Sequence, residues 1–136
     1  MVYINRKIKG AKEHIKDGVK YRSKLELDAA EIFEKAGINA EYESQSFELL
    51  SGFKTEENGK IKTYRNWEYT PDFIWRDKKI FIEIKGFPND VYPYKKKMFL
   101  KKYIVDGEYK DWKFYELHSK KEIISFVNEF CGSQPA

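Results

Sequence analysis

Cysteine is almost absent from this chain of 136 residues: Cys131 is the only one. A lone thiol excludes an intramolecular disulfide and cannot build a cysteine zinc site by itself. Histidine is nearly as scarce, and His14 and His118 both read as surface residues in polar surroundings rather than as metal ligands. No apolar run approaches the ~20 residues that span a bilayer. Residues 1–7 have no apolar segment of the signal-peptide kind. Neither an internal repeat nor a low-complexity stretch is present. These absences set the expectation of a reducing, cytoplasmic setting.

What is there is a folding sequence. Hydrophobic residues make up 41% of the chain and aromatics 17%, which places it among globular proteins rather than disordered ones. The length suits one domain with a real core. The expected organisation is a single domain over residues 1–131, beginning with a basic segment at 1–20, and a short tail at 132–136.

The net charge is only +4, but it is unevenly spread. Residues 1–25 hold Arg6, Lys7, Lys9, Lys12, Lys16, Lys20, Arg22 and Lys24 against Glu13 and Asp17. Residues 92–102 hold Lys95, Lys96, Lys97, Lys101 and Lys102 and no acid. The remainder is acidic. Two basic flanks around an acidic centre suit a polyanion gripped at its sides while a cation neutralises the middle. Two solvated lysine-rich faces would look the same in sequence.

Periodicity and turn residues predict the elements. Residues 1–20 read as extended or mobile, with turn signals at Gly10 and Asp17-Gly18. A helix is expected over 24–36, stopped by Gly37 and carrying Leu25, Ala29, Ile32, Phe33 and Ala36 on one side. Residues 40–42 and 45–50 read as strands, 52–60 as a polar, turn-rich loop at a hairpin tip, and 61–69 as one strand. Residues 86–90 break the chain, and Pro93 opens a helix to about residue 103. A strand over 112–117 and a helix over 119–130, with Ser119 and Glu122 as a capping box, complete the series. Trp67, Trp75 and Trp112 read as core residues. This order predicts an α/β fold, a mixed β-sheet flanked by α-helices.

The chemistry gathers at 71–85. Phe73-Ile74-Trp75 and Ile80-Phe81-Ile82 are strand-like runs on either side of a polar turn. A two-residue loop at Asp77-Lys78 puts Trp75 opposite Ile80, Phe73 opposite Ile82, and Asp72 opposite Glu83. Side chains alternate along a strand. One face then carries Phe73, Trp75, Ile80, Ile82 and Ile84, and the other carries Asp72, Ile74, Phe81, Glu83 and Lys85. Directly opposed like charges destabilise a hairpin, and a bound cation would offset that repulsion. An ordinary solvated sheet face is the competing interpretation.

Glu26 is a third carboxylate of interest. In Ser23-Lys24-Leu25-Glu26 it fits a capping box with Ser23. On a helical wheel it also falls beside Phe33 at the edge of the apolar stripe, while Glu31 and Glu34 point away. A partly buried carboxylate needs a partner. A metal shared with Asp72 and Glu83 would be one.

Ser23-Lys24-Leu25-Glu26 on an early helix, then Pro71-Asp72, then Glu83-Ile84-Lys85 on the next strand resembles the PD-(D/E)XK nuclease superfamily. The basic amino terminus, together with Tyr69-Thr70-Pro71-Asp72-Phe73 and Glu83-Ile84-Lys85-Gly86, is most similar to small phage-type endonucleases, including Holliday-junction resolvases of the endonuclease I type. The resemblance covers residues 20–100. It implies a restriction-endonuclease-like fold and a Mg²⁺-dependent DNA endonuclease, with Mn²⁺ as a substitute. By the same resemblance Glu26, Asp72 and Glu83 are metal ligands, and Lys85 orients water and stabilises developing charge. It further implies a homodimer cutting branched DNA, a four-way junction above all, in DNA recombination, and a virus-encoded protein working inside a bacterial host.

Oxygen ligands favour Mg²⁺ or Mn²⁺ over zinc whatever the family. Lys85 beside two acids is expected to stay protonated, and so to stabilise charge rather than act as a base. Arg6, Lys7, Lys9, Arg22, Lys95, Lys96 and Lys97 are the expected phosphate contacts, carrying no sequence information. Gln45 is a weaker candidate near the site, and Tyr92 and Tyr94 are candidates for stacking on bases. Two rival functions stay open at this level: a less structure-selective DNA endonuclease of replication or packaging, and a non-catalytic nucleic-acid-binding module on the same fold.

Overall fold

A computed structural model describes residues 14–86 and 91–131. Its centre is a four-stranded mixed sheet built from β3 (Glu41–Tyr42), β8 (Phe73–Trp75), β9 (Ile80–Ile84) and β10 (Lys113–Leu117). The spatial order is β10-β9-β8-β3, with β9 and β10 parallel and the other pairs antiparallel. The protein is thus a mixed α/β fold, as the order of predicted elements implies.

Every residue of β9 is buried, because both faces of the sheet are covered. One face meets α1 (Lys24–Lys35) and α3 (Lys120–Cys131). There Phe73, Trp75, Ile80, Ile82 and Ile84 pack with Ala29, Phe33, Ile123, Phe126 and Val127. Phe33 meets Phe73 edge to face at 5.1 Å between ring centroids. The opposite face is covered by α2 (Tyr92–Phe99) and by a ribbon of β4 (Phe47–Leu50) paired with β7 (Trp67–Tyr69). Ile74 and Phe81 pack there with Phe47, Leu49, Tyr69 and Phe99. Each of these large side chains contributes about 1.5–3 kcal/mol by leaving water.

The sheet hairpin keeps the expected register, with Trp75 opposite Ile80, Ile74 opposite Phe81 and Phe73 opposite Ile82. Its loop differs. It is a four-residue connection, a 3₁₀ turn over Arg76–Lys78 closed by Lys79 at φ 60°. A two-residue loop at Asp77-Lys78 would splay these strands unless it took a primed turn with positive φ at one or both loop residues, and the longer turn leaves the pairing unchanged.

Helix α1 ends where Gly37 takes φ 77°. The Gly37 amide donates to the Glu34 carbonyl and the Ile38 amide to the Phe33 carbonyl, a Schellman closure with Ile38 in the core beside Phe33. Helix α2 has Pro93 in its first turn and runs on into π-helical backbone over Leu100–Val105. Helix α3 is capped by Ser119, whose Oγ accepts from the Glu122 amide. Glu122 in turn accepts from the amide of His118, one residue before the cap.

Two sequence expectations need correction and a third becomes specific. Residues 14–21, extended as expected, form a hairpin of β1 (His14–Lys16) and β2 (Val19–Tyr21) with its turn at the expected Asp17-Gly18. The segment 52–60 does hold a hairpin tip, at Asn58-Gly59, but most of it is strand rather than loop: β5 (Phe53–Glu57) pairs with β6 (Lys60–Tyr64). Polar composition hid it, since β5 has no buried face to create an alternation. Residues 61–69 are two strands, β6 and β7, interrupted at Arg65-Asn66. The tail at 132–136 and residues 1–13 lie outside the described residues. No helix among the described residues is long and apolar enough to cross a membrane.

Candidate active site

Glu26, Asp72 and Glu83 are the buried charged residues of the described chain, with 8%, 7% and 5% of their surface exposed. Different elements bring them together. Glu26 sits in the first turn of α1, where its amide donates to the Ser23 hydroxyl at 3.1 Å. The capping role expected of Ser23 is therefore real. The Glu26 carboxylate, however, turns inward to accept from the Tyr42 hydroxyl at 2.5 Å.

Asp72 lies just before β8. Its carboxylate accepts the Ile84 amide at 2.8 Å, so a side chain continues the hairpin where the backbone ladder stops at Phe73 and Ile82. Its carbonyl accepts the Glu43 amide at 2.9 Å. Glu83 is on β9, and Tyr69 of β7 donates its hydroxyl hydrogen to it from the facing ribbon. Lys85, two residues on, places its ammonium 3.7 Å from the Glu83 carboxylate and 4.4 Å from the centre of the Tyr92 ring.

Electrostatics follow from this burial. Loss of water pushes the Asp72 carboxyl up to about 8, with the charges of Glu83 and Glu26 adding to the effect and the Ile84 amide opposing it. Burial likewise pushes Glu83 up, to about 7, against the hydrogen bond from Tyr69 and the charge of Lys85. The two carboxyls titrate as a pair. Burial and the acceptors they face keep Tyr42, Tyr69 and Tyr92 protonated well above the ordinary phenol range, so all three act as donors.

A residue absent from the sequence reading joins the site. Glu43 stands at φ 46° just past β3. One carboxylate oxygen each from Glu26, Glu43 and Asp72 lies within 4.8 Å of the others, a spacing that can hold a metal ion. Glu83 is not in that trio but acts on Asp72 through its charge. Nothing in the sequence singles out Glu43, since its position depends on a left-handed backbone that glutamate rarely adopts. Tyr42 and Tyr69 were equally hidden, as aromatic residues on strands that ordinarily signal core.

Beside the carboxylates lies a cleft of about 550 Å³, lined by Arg22, Glu43, Ser46, Glu68, Tyr69, Thr70, Asp72 and Lys95. Of the expected phosphate contacts, Arg22 and Lys95 border this cleft. Arg22 is also ion-paired with Glu43 at 2.6 Å. Lys97 is exposed on α2. Lys96 is committed internally, 2.6 Å from Glu116. Arg6, Lys7 and Lys9 lie outside the described residues.

Glu116 organises the far side of the site. It is the register partner of Glu83 on β10 and accepts from Tyr92 at 2.7 Å and from Lys96. His118 Nε2 lies 2.9 Å from its second oxygen, and His118 Nδ1 is 3.1 Å from the Lys85 carbonyl. Burial raises the Glu116 carboxyl, but the donors from Lys96 and Tyr92 leave it below its ordinary value. His118 is exposed in polar surroundings, as expected, and belongs to this network. Gln45 is turned to Arg76, which donates to it at 3.0 Å. Tyr94 is 66% exposed, and Trp67 and Trp112 are only partly buried against the second core, whereas Trp75 is buried.

The chain belongs to the family described as protein of unknown function DUF1064, whose sequence pattern matches residues 6–123. No curated protein and no solved structure matches it.

Proposed function

We propose that this member of the DUF1064 family is a metal-dependent DNA endonuclease of the PD-(D/E)XK type, with a restriction-endonuclease-like arrangement of sheet and helices. One observation carries the proposal. The buried charges of the described chain are three carboxylates that converge from α1, the start of β8 and β9, and Lys85 stands beside them.

Burying several carboxylates together is costly unless protons or a cation accompany them. The donor atoms are all carboxylate oxygens, which fit Mg²⁺ or Mn²⁺ and not a soft metal. Glu26, Glu43 and Asp72 would hold the ion, with Glu83 adjoining. A bound divalent cation supplies charge neutralisation for a phosphodiester and lowers the pKa of water beside it.

The chain's own residues do the rest. Arg22 and Lys95 grip backbone phosphates along the cleft. Tyr69 fixes the Glu83 carboxylate, and Glu83 with Lys85 orients the attacking water. The Lys85 ammonium balances the negative charge that grows on the phosphate oxygens. Tyr42 fixes Glu26 in the same way. The preferred substrate is branched DNA, in particular a four-way junction in recombination, and a homodimer would supply the two centres needed to cut both strands.

The test is to incubate the protein with a labelled four-way junction, its matched duplex and a single strand, each in Mg²⁺ and in EDTA. Metal-dependent paired cuts in the junction, with the duplex spared, support a resolvase. Cutting of all three points to a less selective endonuclease. Binding without cutting, in Mg²⁺ and in Mn²⁺, would replace the nuclease with a binding module.

A further inference from the structure

Among the described residues, the β5–β6 hairpin gives no side chain to either core, and its strands pair only with each other. All of its residues are exposed except Thr55 and Tyr64, which are half-buried. Isolated two-stranded ribbons are marginal in water, yet this one is closely specified. Asn58 and Gly59 turn with φ 52° and 78°, the mirror-image turn that suits a right-twisted hairpin. Phe53 and Tyr64 stack across the strands, 4.9 Å apart and tilted by 19°. At the root, the Gly52 amide donates to the Asn66 side chain at 2.7 Å. A Cβ at Gly52 would stand 2.8 Å from the Tyr64 carbonyl oxygen, so the chain passes there only as glycine.

The ribbon is also placed with respect to the cleft. It continues the β4–β7 ribbon beyond Leu50 and Trp67. That ribbon's other end leads to Ser46, Glu68, Tyr69 and Thr70 in the cleft wall. Its register sets Lys60, Lys62 and Glu57 on one face with the aromatic stack, and Lys54 and Glu56 on the other with Ile61. Glu57 is held by Thr55 and Tyr64, with Lys62 at 4.0 Å. Phe53 and Ile61 fall on opposite faces, so neither face presents the contiguous apolar patch that a second copy of the chain would need.

We propose that the β5–β6 ribbon is a duplex-DNA contact that enters the major groove beside the cleft, with lysines on its two faces meeting the phosphates of the two strands. A two-stranded ribbon fits that groove. Five residues per strand reach roughly 17 Å from the root. The inference rests on the nuclease reading, because the cleft is where the cut strand would lie.

The test is fluorescence anisotropy of the full chain on a labelled duplex, in EDTA and in Ca²⁺, across a salt series. The ribbon variant carries Lys54→Ser, Lys60→Ser and Lys62→Ser, and a control variant carries Lys110→Ser, Lys120→Ser and Lys121→Ser. The ribbon variant should lose at least about tenfold in affinity, and its salt slope should fall by about 3, while the control stays at the parent value. A benzophenone amino acid at position 61 should crosslink to the duplex. If the parent binds but the ribbon variant binds equally well with the same slope, the ribbon inference fails while the nuclease reading stands. A change from dimer to monomer in the ribbon variant, seen by sedimentation, would assign the ribbon to a second copy instead. If the parent itself shows no salt-dependent DNA binding, both fall together.

Discussion

The Tyr69 hydroxyl donates its hydrogen to the Glu83 carboxylate across the gap between two separate sheets. Tyr69 is buried among the aromatic residues of the second core, so its position is set by packing rather than by the site. The bond favours the ionised form of Glu83. Tyr69→Phe keeps the packing and removes the donor. Its loss should raise the Glu83 pKa further, shift the acid limb of the rate profile to higher pH and lower the rate at neutral pH by about tenfold, since a hydrogen bond to a charged group contributes ~1.5–3 kcal/mol. Cleavage rates measured against pH for both proteins check this.

The metal-free protein should lose stability as pH rises. The folded carboxyls of Asp72 and Glu83 sit at about 8 and about 7, above their values in the unfolded chain. The folded state therefore binds more protons than the unfolded state from about pH 4 to pH 8, and stability falls across that window. Asp72→Asn keeps an oxygen for the Ile84 amide and removes the charge. In EDTA at pH 8 it should melt several degrees higher than the parent, equivalent to about 1 kcal/mol or more. Melting curves from pH 5 to 8, with and without Mg²⁺, provide the comparison. Mg²⁺ should flatten the parent's pH dependence.

Asp72→Ala separates charge from architecture. It leaves the buried Ile84 amide without its acceptor, a loss of about 1–3 kcal/mol. Unlike the asparagine variant, it should be less stable than the parent below pH 5, which chemical denaturation can measure.

Much of this site was legible in the sequence, and what was missed was missed for separate physical reasons. The register of β8 against β9 follows from two apolar runs joined by a short polar turn, which places Asp72, Glu83 and Lys85 correctly relative to one another. Glu26 was legible because helical periodicity puts it next to Phe33, and both are buried. Glu43 was not, because a residue at positive φ breaks the alternation from which strand faces are read. Tyr42 and Glu116 were invisible for another reason: each reaches the site from a strand distant in the chain, and only tertiary packing brings it there, while Tyr69, close to Asp72 in sequence, reads as an ordinary core aromatic and meets Glu83 only across two sheets. Strand β5 escaped because it is exposed on both faces, which leaves no hydrophobic period to detect.

Glu43 should contribute to cation affinity. Its carboxylate completes the trio with Glu26 and Asp72 and is offset by Arg22 at 2.6 Å. Glu43→Gln is expected to weaken Mn²⁺ binding by about tenfold, within the range seen when groups supporting a metal site are changed. Arg22→Ala should leave metal affinity equal or tighter while weakening DNA binding on all sequences alike. Calorimetric titration of Mn²⁺ and anisotropy on two unrelated duplexes distinguish the two effects.

Glu116 and His118 are expected to act through Lys85. His118 meets the Lys85 carbonyl, and Tyr92, beneath the Lys85 ammonium, is anchored on Glu116. Glu116→Ala should lower kcat several-fold with little change in KM, because it loosens Lys85 without touching the cleft wall. Steady-state kinetics on the preferred DNA substrate would show the split, and an effect on KM alone would assign Glu116 to binding.

The most direct measurement is DNA cleavage by the parent, Asp72→Asn and Glu83→Gln in Mg²⁺, with an EDTA control and with folding of each variant verified by its melting curve. Cleavage by the parent that depends on Mg²⁺, and its loss by at least about a hundredfold in both folded variants, is the expected result if Asp72 holds the cation and Glu83 orients the attacking water beside the reacting phosphate. Variants that cut as fast as the parent would contradict the proposed site, and a parent that cuts no DNA in Mg²⁺ or Mn²⁺ would contradict the proposed activity.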